Sequence, residues 1–82
     1  MNRLIIYQYI NKLRKEDIVN YCNTKGIRVN NNDLDVVYSY VKNDYKRFFD
    51  NPSIVLNEVK VLVSDYTYGE IIKLYEKYKG FI

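Results

Sequence analysis

Gly26-Ile27-Arg28-Val29-Asn30-Asn31-Asn32-Asp33 holds the end of one helix and the start of the next within a few residues. Downstream, Leu34, Val37, Tyr38, Val41, Tyr45 and Phe48 recur at i, i+3, i+4, i+7, i+11 and i+14, a single apolar stripe at helical period. Strand alternation fits this window far worse. Asn30 suits the N-cap, because its side-chain oxygen can accept from the free N–H groups of the first turn, and Asp33 stands where a capping box returns a bond. Val29 and Leu34 have the spacing of a hydrophobic staple across that cap. Upstream, Gly26 supplies a left-handed residue and Ile27 the apolar contact that closes a preceding helix. The expectation is a tight helix-to-helix corner over Gly26–Asn30, similar in spacing to a helix-turn-helix.

From this corner the chain reads as a single domain over residues 1–82, all-α, a compact bundle of four to five short helices. Helix 1 is expected over about Asn2 to Lys12, with Leu4 or Ile5, Ile6, Tyr9, Ile10 and Leu13 on or near one face. Helix 2 opens near Lys15, with Glu16 and Asp17 at the positive end of its dipole, and turns Ile18, Cys22 and either Val19 or Tyr21 inward. The stripe of helix 3 weakens at Lys42-Asn43-Asp44, where a kink or an end before Tyr45 is consistent with the pattern. Asp50-Asn51-Pro52-Ser53 marks the next start, since proline is tolerated in a first turn. Helix 4 is expected from Pro52 to Val63, although its Val and Ile content leaves a strand over 54–63 open. Thr67-Tyr68-Gly69-Glu70 has the form of a capping box, from which helix 5 runs to about Lys79 before Gly80. Helix 3 is expected to be packed by all the others.

Composition limits what such a bundle can do. The 82 residues include ten Tyr, nine Ile and nine Val, and no Ala, His or Trp. Asn, Lys, Ile, Tyr and Phe make up 41 of them, all with AT-rich codons, so part of the Tyr and Asn excess reflects base composition. Net charge is +3, with Arg3, Lys12, Arg14 and Lys15 forming a mildly basic start rather than a nucleic-acid stripe. The uncharged run from Leu4 to Asn11 is too short to span a bilayer and lacks a signal-peptide pattern, so no membrane association is expected. One cysteine forms no internal disulfide and Asn51-Pro52-Ser53 is no glycosylation sequon, which together point to a reducing, cytoplasmic setting.

The run Leu13-Arg14-Lys15-Glu16-Asp17-Ile18-Val19-Asn20-Tyr21-Cys22, with Gly26-Ile27-Arg28-Val29 and the capped helix from Asn30, resembles the YqfT-like domain-of-unknown-function proteins of low-GC Gram-positive bacteria. The resemblance lies in length, in helix order and in an acid-apolar-apolar-x-Tyr pattern before a Gly/Asn-Ile corner. Arg14-Lys15 stands here where that family tends to have Thr-Pro. It implies a fold and a cytoplasmic setting, and no catalytic residues. Ile18, Tyr21, Gly26-Ile27 and Leu34 also resemble the SAP-type helix-loop-helix modules that bind DNA, with Asp33 and Asp35 departing from their basic second helix.

Catalytic chemistry finds few supports. Without histidine, and with Cys22 four residues from Ile18 on an apolar face, no positioned base stands beside a nucleophile, and the usual zinc sets are absent. An EF-hand register from Asn31 places Val36 where glycine is needed and Lys42 where the bidentate glutamate belongs. No phosphate-cradling glycine loop exists, so no enzyme activity, metal or cofactor is expected. Two binding functions remain. One is a protein-interaction or adaptor role through aromatics off the core stripes, Tyr40, Tyr68 and Tyr9, with self-association through the Tyr/Val-rich faces of helices 4 and 5. The alternative is a nucleic-acid module using Lys12, Arg14, Lys15, Lys42, Lys46 and Arg47, whose binding would fall steeply with salt.

Overall fold

A computed structural model describes residues 3–81, and among them every regular element is helical. In chain order these are α1 (Arg3–Lys12), α2 (Lys15–Lys25), α3 (Asn31–Asp50), α4 (Pro52–Lys60) and α5 (Asp65–Tyr78), closed by a 3-10 turn at Lys79–Phe81. The expected start of the first helix at Asn2 lies outside the described residues. No helix among them is long and apolar enough to cross a membrane.

The corner forms as its residues dictate. Gly26 adopts φ 70°, the Ile27 N–H donates to the Cys22 carbonyl at 2.8 Å, and the Gly26 N–H donates to Asn23 at 3.3 Å. This pair of bonds satisfies carbonyls that would otherwise end α2 unpaired. Four residues later Asn30 caps α3, its Oδ1 accepting from the Asp33 N–H at 2.7 Å. At the other end of α2, Arg14 has no useful capping oxygen, and the helix is closed instead by Asp17, which accepts from the Arg14 N–H at 2.9 Å.

The structure revises several boundaries. α3 runs straight through Lys42-Asn43-Asp44 without a break. Those residues carry no helix breaker, and the Lys42 amine fastens the segment to α1 by donating to the carbonyls of Ile10 at 3.0 Å and Asn11 at 2.9 Å. Residues 54–60 are helix, not strand, but α4 ends at Lys60, short of Val63. Its last turn tightens there, with the Leu62 and Val63 N–H groups both returning to the Val59 carbonyl. α5 begins at Asp65, capped by Ser64, so Thr67 lies inside the first turn and is not the cap.

Packing is centred on α3, against which α1, α2 and α4 lie, while α5 rests on α4. The expectation that α3 is packed by all the other helices holds most loosely for α5, which reaches it at both of its ends. Ser64 and Thr67 reach Asp33 at one end, and at the other the Tyr75 and Phe48 rings meet edge-on at 5.8 Å. The fully buried apolar core is accordingly small: Ile10, Leu34, Val55, Leu56 and Val59. On α1 the inward face is Ile6, Tyr7, Ile10 and Leu13, whereas Leu4, Ile5 and Tyr9 point to solvent. On α2, Val19 joins Ile18 and Cys22 inside and Tyr21 stays exposed.

Candidate functional site

Two polar clusters hold the bundle in shape, and between them lies an apolar cleft. The first is built on Asp33, the third residue after the Asn30 cap and 2% exposed. Its carboxylate accepts from the Thr67 hydroxyl at 2.6 Å, the Ser64 hydroxyl at 2.7 Å, the Ser64 N–H at 3.1 Å and the Asn30 amide at 3.2 Å. Thr67 foremost, and then Ser64 and Asn32, hold the carboxyl below its ordinary range against the opposing effect of burial. Since Ser64 and Asp33 lie at the N-terminal ends of α5 and α3, one anion faces the positive ends of two helices. Beside it, the Arg28 N–H of the corner donates to the Tyr66 hydroxyl at 3.2 Å, a second tie between the corner and the start of α5.

The second cluster joins α3 to α4. Arg47 grips Glu58 with both guanidinium branches, at 2.6 and 2.8 Å, and reaches Asp44 at 3.1 Å. The Tyr40 hydroxyl donates to Glu58 at 3.1 Å. Arg47 draws the Glu58 carboxyl below its usual range, whereas burial and the neighbouring Glu58 push the Tyr40 hydroxyl up. Both exposed charges belong to a bidentate pair, the geometry in which such pairs are strongest.

The cleft, about 330 Å³, is what the splay of α5 leaves between α3, α4 and α5. Val37, Val41 and Phe48 form one wall, Val59 the floor, and Ile71 and Tyr75 the other wall. The strong stripe of α3 thus faces this cleft over most of its length, and only Leu34 of the stripe is fully buried. A second, smaller pocket of about 160 Å³ lies between the last turn of α2 and the flank of α5.

The residues expected to carry function are placed differently from one another. Tyr9 is exposed at 68%, so it stands off the inner face of α1 on which the helical period groups it, and Tyr7 takes that inner position. Tyr40 and Tyr68 are not exposed: both are half-buried, Tyr40 bound to Glu58 and Tyr68 lying beneath the Lys60 amine, 5.8 Å from its ring centroid. Of the six basic candidates, Lys15 pairs with Asp35, Arg14 with Glu16 at 3.6 Å, and Arg47 with Glu58 and Asp44. Lys42 caps the carbonyls of α1, Lys46 lies over the Tyr7 and Tyr45 rings, and Lys12 extends into solvent. A phosphate reaching Lys15, Arg14 or Arg47 would meet an acid already in place.

Sequence reasoning missed two things here. Asp33 was read as a cap partner, yet it stands four residues before Val37 and seven before Tyr40, which puts it on the inner face. The basic group at the α2–α5 pocket, Lys25 with Lys73 and Lys77, joins residues too distant in sequence to be grouped without the fold. Among the described residues no cluster of three or more acidic or sulfur ligands forms. No family model, curated protein or solved structure matches the chain.

Proposed function

We propose that this chain is a small, non-catalytic protein-interaction domain of the cytoplasm, docking through the outer face of α1. The observation that supports it most is the pair Ile5 and Tyr9, one helical turn apart and 61% and 68% exposed, with Leu4 beside them. A single exposed aliphatic residue is ordinary, whereas several on one short helix form the kind of patch by which domains associate. Tyrosine fits that use, because it offers a large rigid surface with few rotamers to freeze. Ile54 on α4 and Val61 just past its end add exposed apolar area, whereas Val55 and Val59 are turned into the core.

The non-catalytic reading rests on the nucleophile inventory. Burial, and secondarily Glu70, push the Cys22 thiol up, which disfavours the thiolate that any cysteine chemistry requires.

Sedimentation velocity over a wide concentration range, paired with affinity capture from the cells that make the protein, with and without nuclease, tests the proposal. An Ile5→Glu/Tyr9→Ser variant should keep the wild-type melting curve and lose either the self-association or the captured protein. A strict monomer whose captured set is identical for both proteins would overturn it. Capture that vanishes on nuclease treatment would replace it with nucleic-acid binding.

A further inference from the structure

Leu74 lines both the apolar cleft and the α2–α5 pocket, so that the two spaces meet at one side chain. Their chemistries are opposite. The cleft, at about 330 Å³, sits at the lower end of the roughly 300–1,000 Å³ of small-ligand sites, and its walls are aliphatic and aromatic. Tyr21, Lys25, Glu70, Lys73 and Lys77 surround the smaller pocket. Glu70 takes Lys73 at 3.4 Å. Lys25 and Lys77 have no carboxylate partner among the described residues; their amines rest against rings instead, 5.9 Å from the centroid of Tyr21 and 5.4 Å from that of Tyr78. Tyr78 is itself a wall of the cleft, which places the Lys77 charge at the border of both spaces.

The combination selects the occupant. An apolar cleft alone fits any greasy group, but three ammonium groups against one carboxylate attract an anion. The C-terminal end of α2 opposes this with a partial negative charge of about one half, less than the two unpaired ammonium groups supply. A neutral apolar ligand would leave those lysines unused, and a folded second copy cannot enter a space of this size. We infer that cleft and pocket form one site for a single-chain fatty-acid carboxylate. Its headgroup lies between Lys25 and Lys77, and its chain passes Leu74 into the cleft between α3, α4 and α5. This site is separate from the α1 face, so either reading can fail without the other.

The experiment is a titration of the ¹⁵N-labelled protein with dodecanoate below its micellar concentration. Saturable one-to-one binding is expected, with amide shifts centred on Ile71, Leu74 and Tyr78. Decanoate should bind roughly tenfold more weakly, because two methylenes fewer are buried. Dodecyltrimethylammonium, the same chain with the charge reversed, should also be weaker by roughly tenfold. A Lys25→Gln/Lys77→Gln variant should stay folded, melting slightly earlier because each lysine also complements the C-terminal end of its helix, and should lose the preference for the anionic chain. The proposal falls if dodecanoate does not saturate, if both headgroups bind the wild type equally, or if the shifts centre on the outer Ile5–Tyr9 face of α1. It falls equally if anionic phospholipid vesicles bind while monomeric dodecanoate does not.

Discussion

The hydroxyl of Thr67 donates to the carboxylate of Asp33 across 2.6 Å, joining the first turn of α5 to the first turn of α3. The carboxylate has almost no contact with water, so its protein donors replace its hydration. Truncation of Asp33→Ala would leave Ser64 and Thr67 without their shared acceptor, and hydrogen bonds to a charged group are worth about 1.5–3 kcal/mol each. Urea denaturation should therefore show a loss of about 2–4 kcal/mol for Asp33→Ala and about 1–2 kcal/mol for Thr67→Val. A domain of this size has only several kcal/mol in total. Equal, near-zero losses would mean that the cluster is incidental.

Acid should weaken the fold through the same carboxylate. Its pKa in the folded chain lies below that of the unfolded chain, so the stabilisation is present above the ordinary aspartate value, about 3.9. It is lost as pH falls through the lower folded value. Glu58, held down chiefly by Arg47, contributes in the same direction. Denaturation curves at pH 7, 4 and 2.5 should show the difference between wild type and Asp33→Asn shrinking only below about pH 4. A difference that shrinks between pH 7 and 5 would assign it to another group.

Two apolar substitutions separate the closed core from the open cleft. Leu34 is buried and lies outside the cleft lining, and Leu34→Ala should cost about 2–5 kcal/mol through lost burial and the cavity left behind. Val37 lines the cleft, so Val37→Leu has room for one more methylene and should be neutral or stabilising by up to about 0.8 kcal/mol. Thermal unfolding distinguishes the two, and a large loss for Val37→Leu would mean that the cleft walls pack closed in solution.

The corner offers a backbone test. Gly26 at φ 70° has nothing within 4 Å of where a Cβ would stand, so Gly26→Ala meets conformational strain without steric obstruction. The left-handed region costs a non-glycine residue about 1–2 kcal/mol, and the midpoint of urea denaturation should shift accordingly. An unchanged midpoint would mean that α2 ends some other way.

How much of this was legible in the sequence follows from where the signals are local. The corner and α3 were readable because a left-handed glycine, an Asn cap and a long stripe act within one stretch of chain. The start of α5 was not, since Ser64 and Thr67 are both cap residues three apart. Ser64 is the cap, its Oγ accepting from the Thr67 N–H, while Asp33, thirty-one residues before Ser64, holds both hydroxyls. Tyr40 failed for a related reason. Its place beside the α3 stripe reads as exposed until α4 packs alongside and Glu58 takes its hydroxyl. The apolar stripe itself said that α3 turns inward, but not that α5 would stand off from it and leave most of that stripe facing a cleft.

The separation of Asp33 from the residues that satisfy it also sets an order of assembly. The α3–α4 hairpin brings together neighbours in the chain and pays little loop entropy, whereas α5 can engage Asp33 only after α4 has reversed the backbone. α5 then docks on Asp33 only after the α3–α4 hairpin has formed, and its amides should exchange before those of α3.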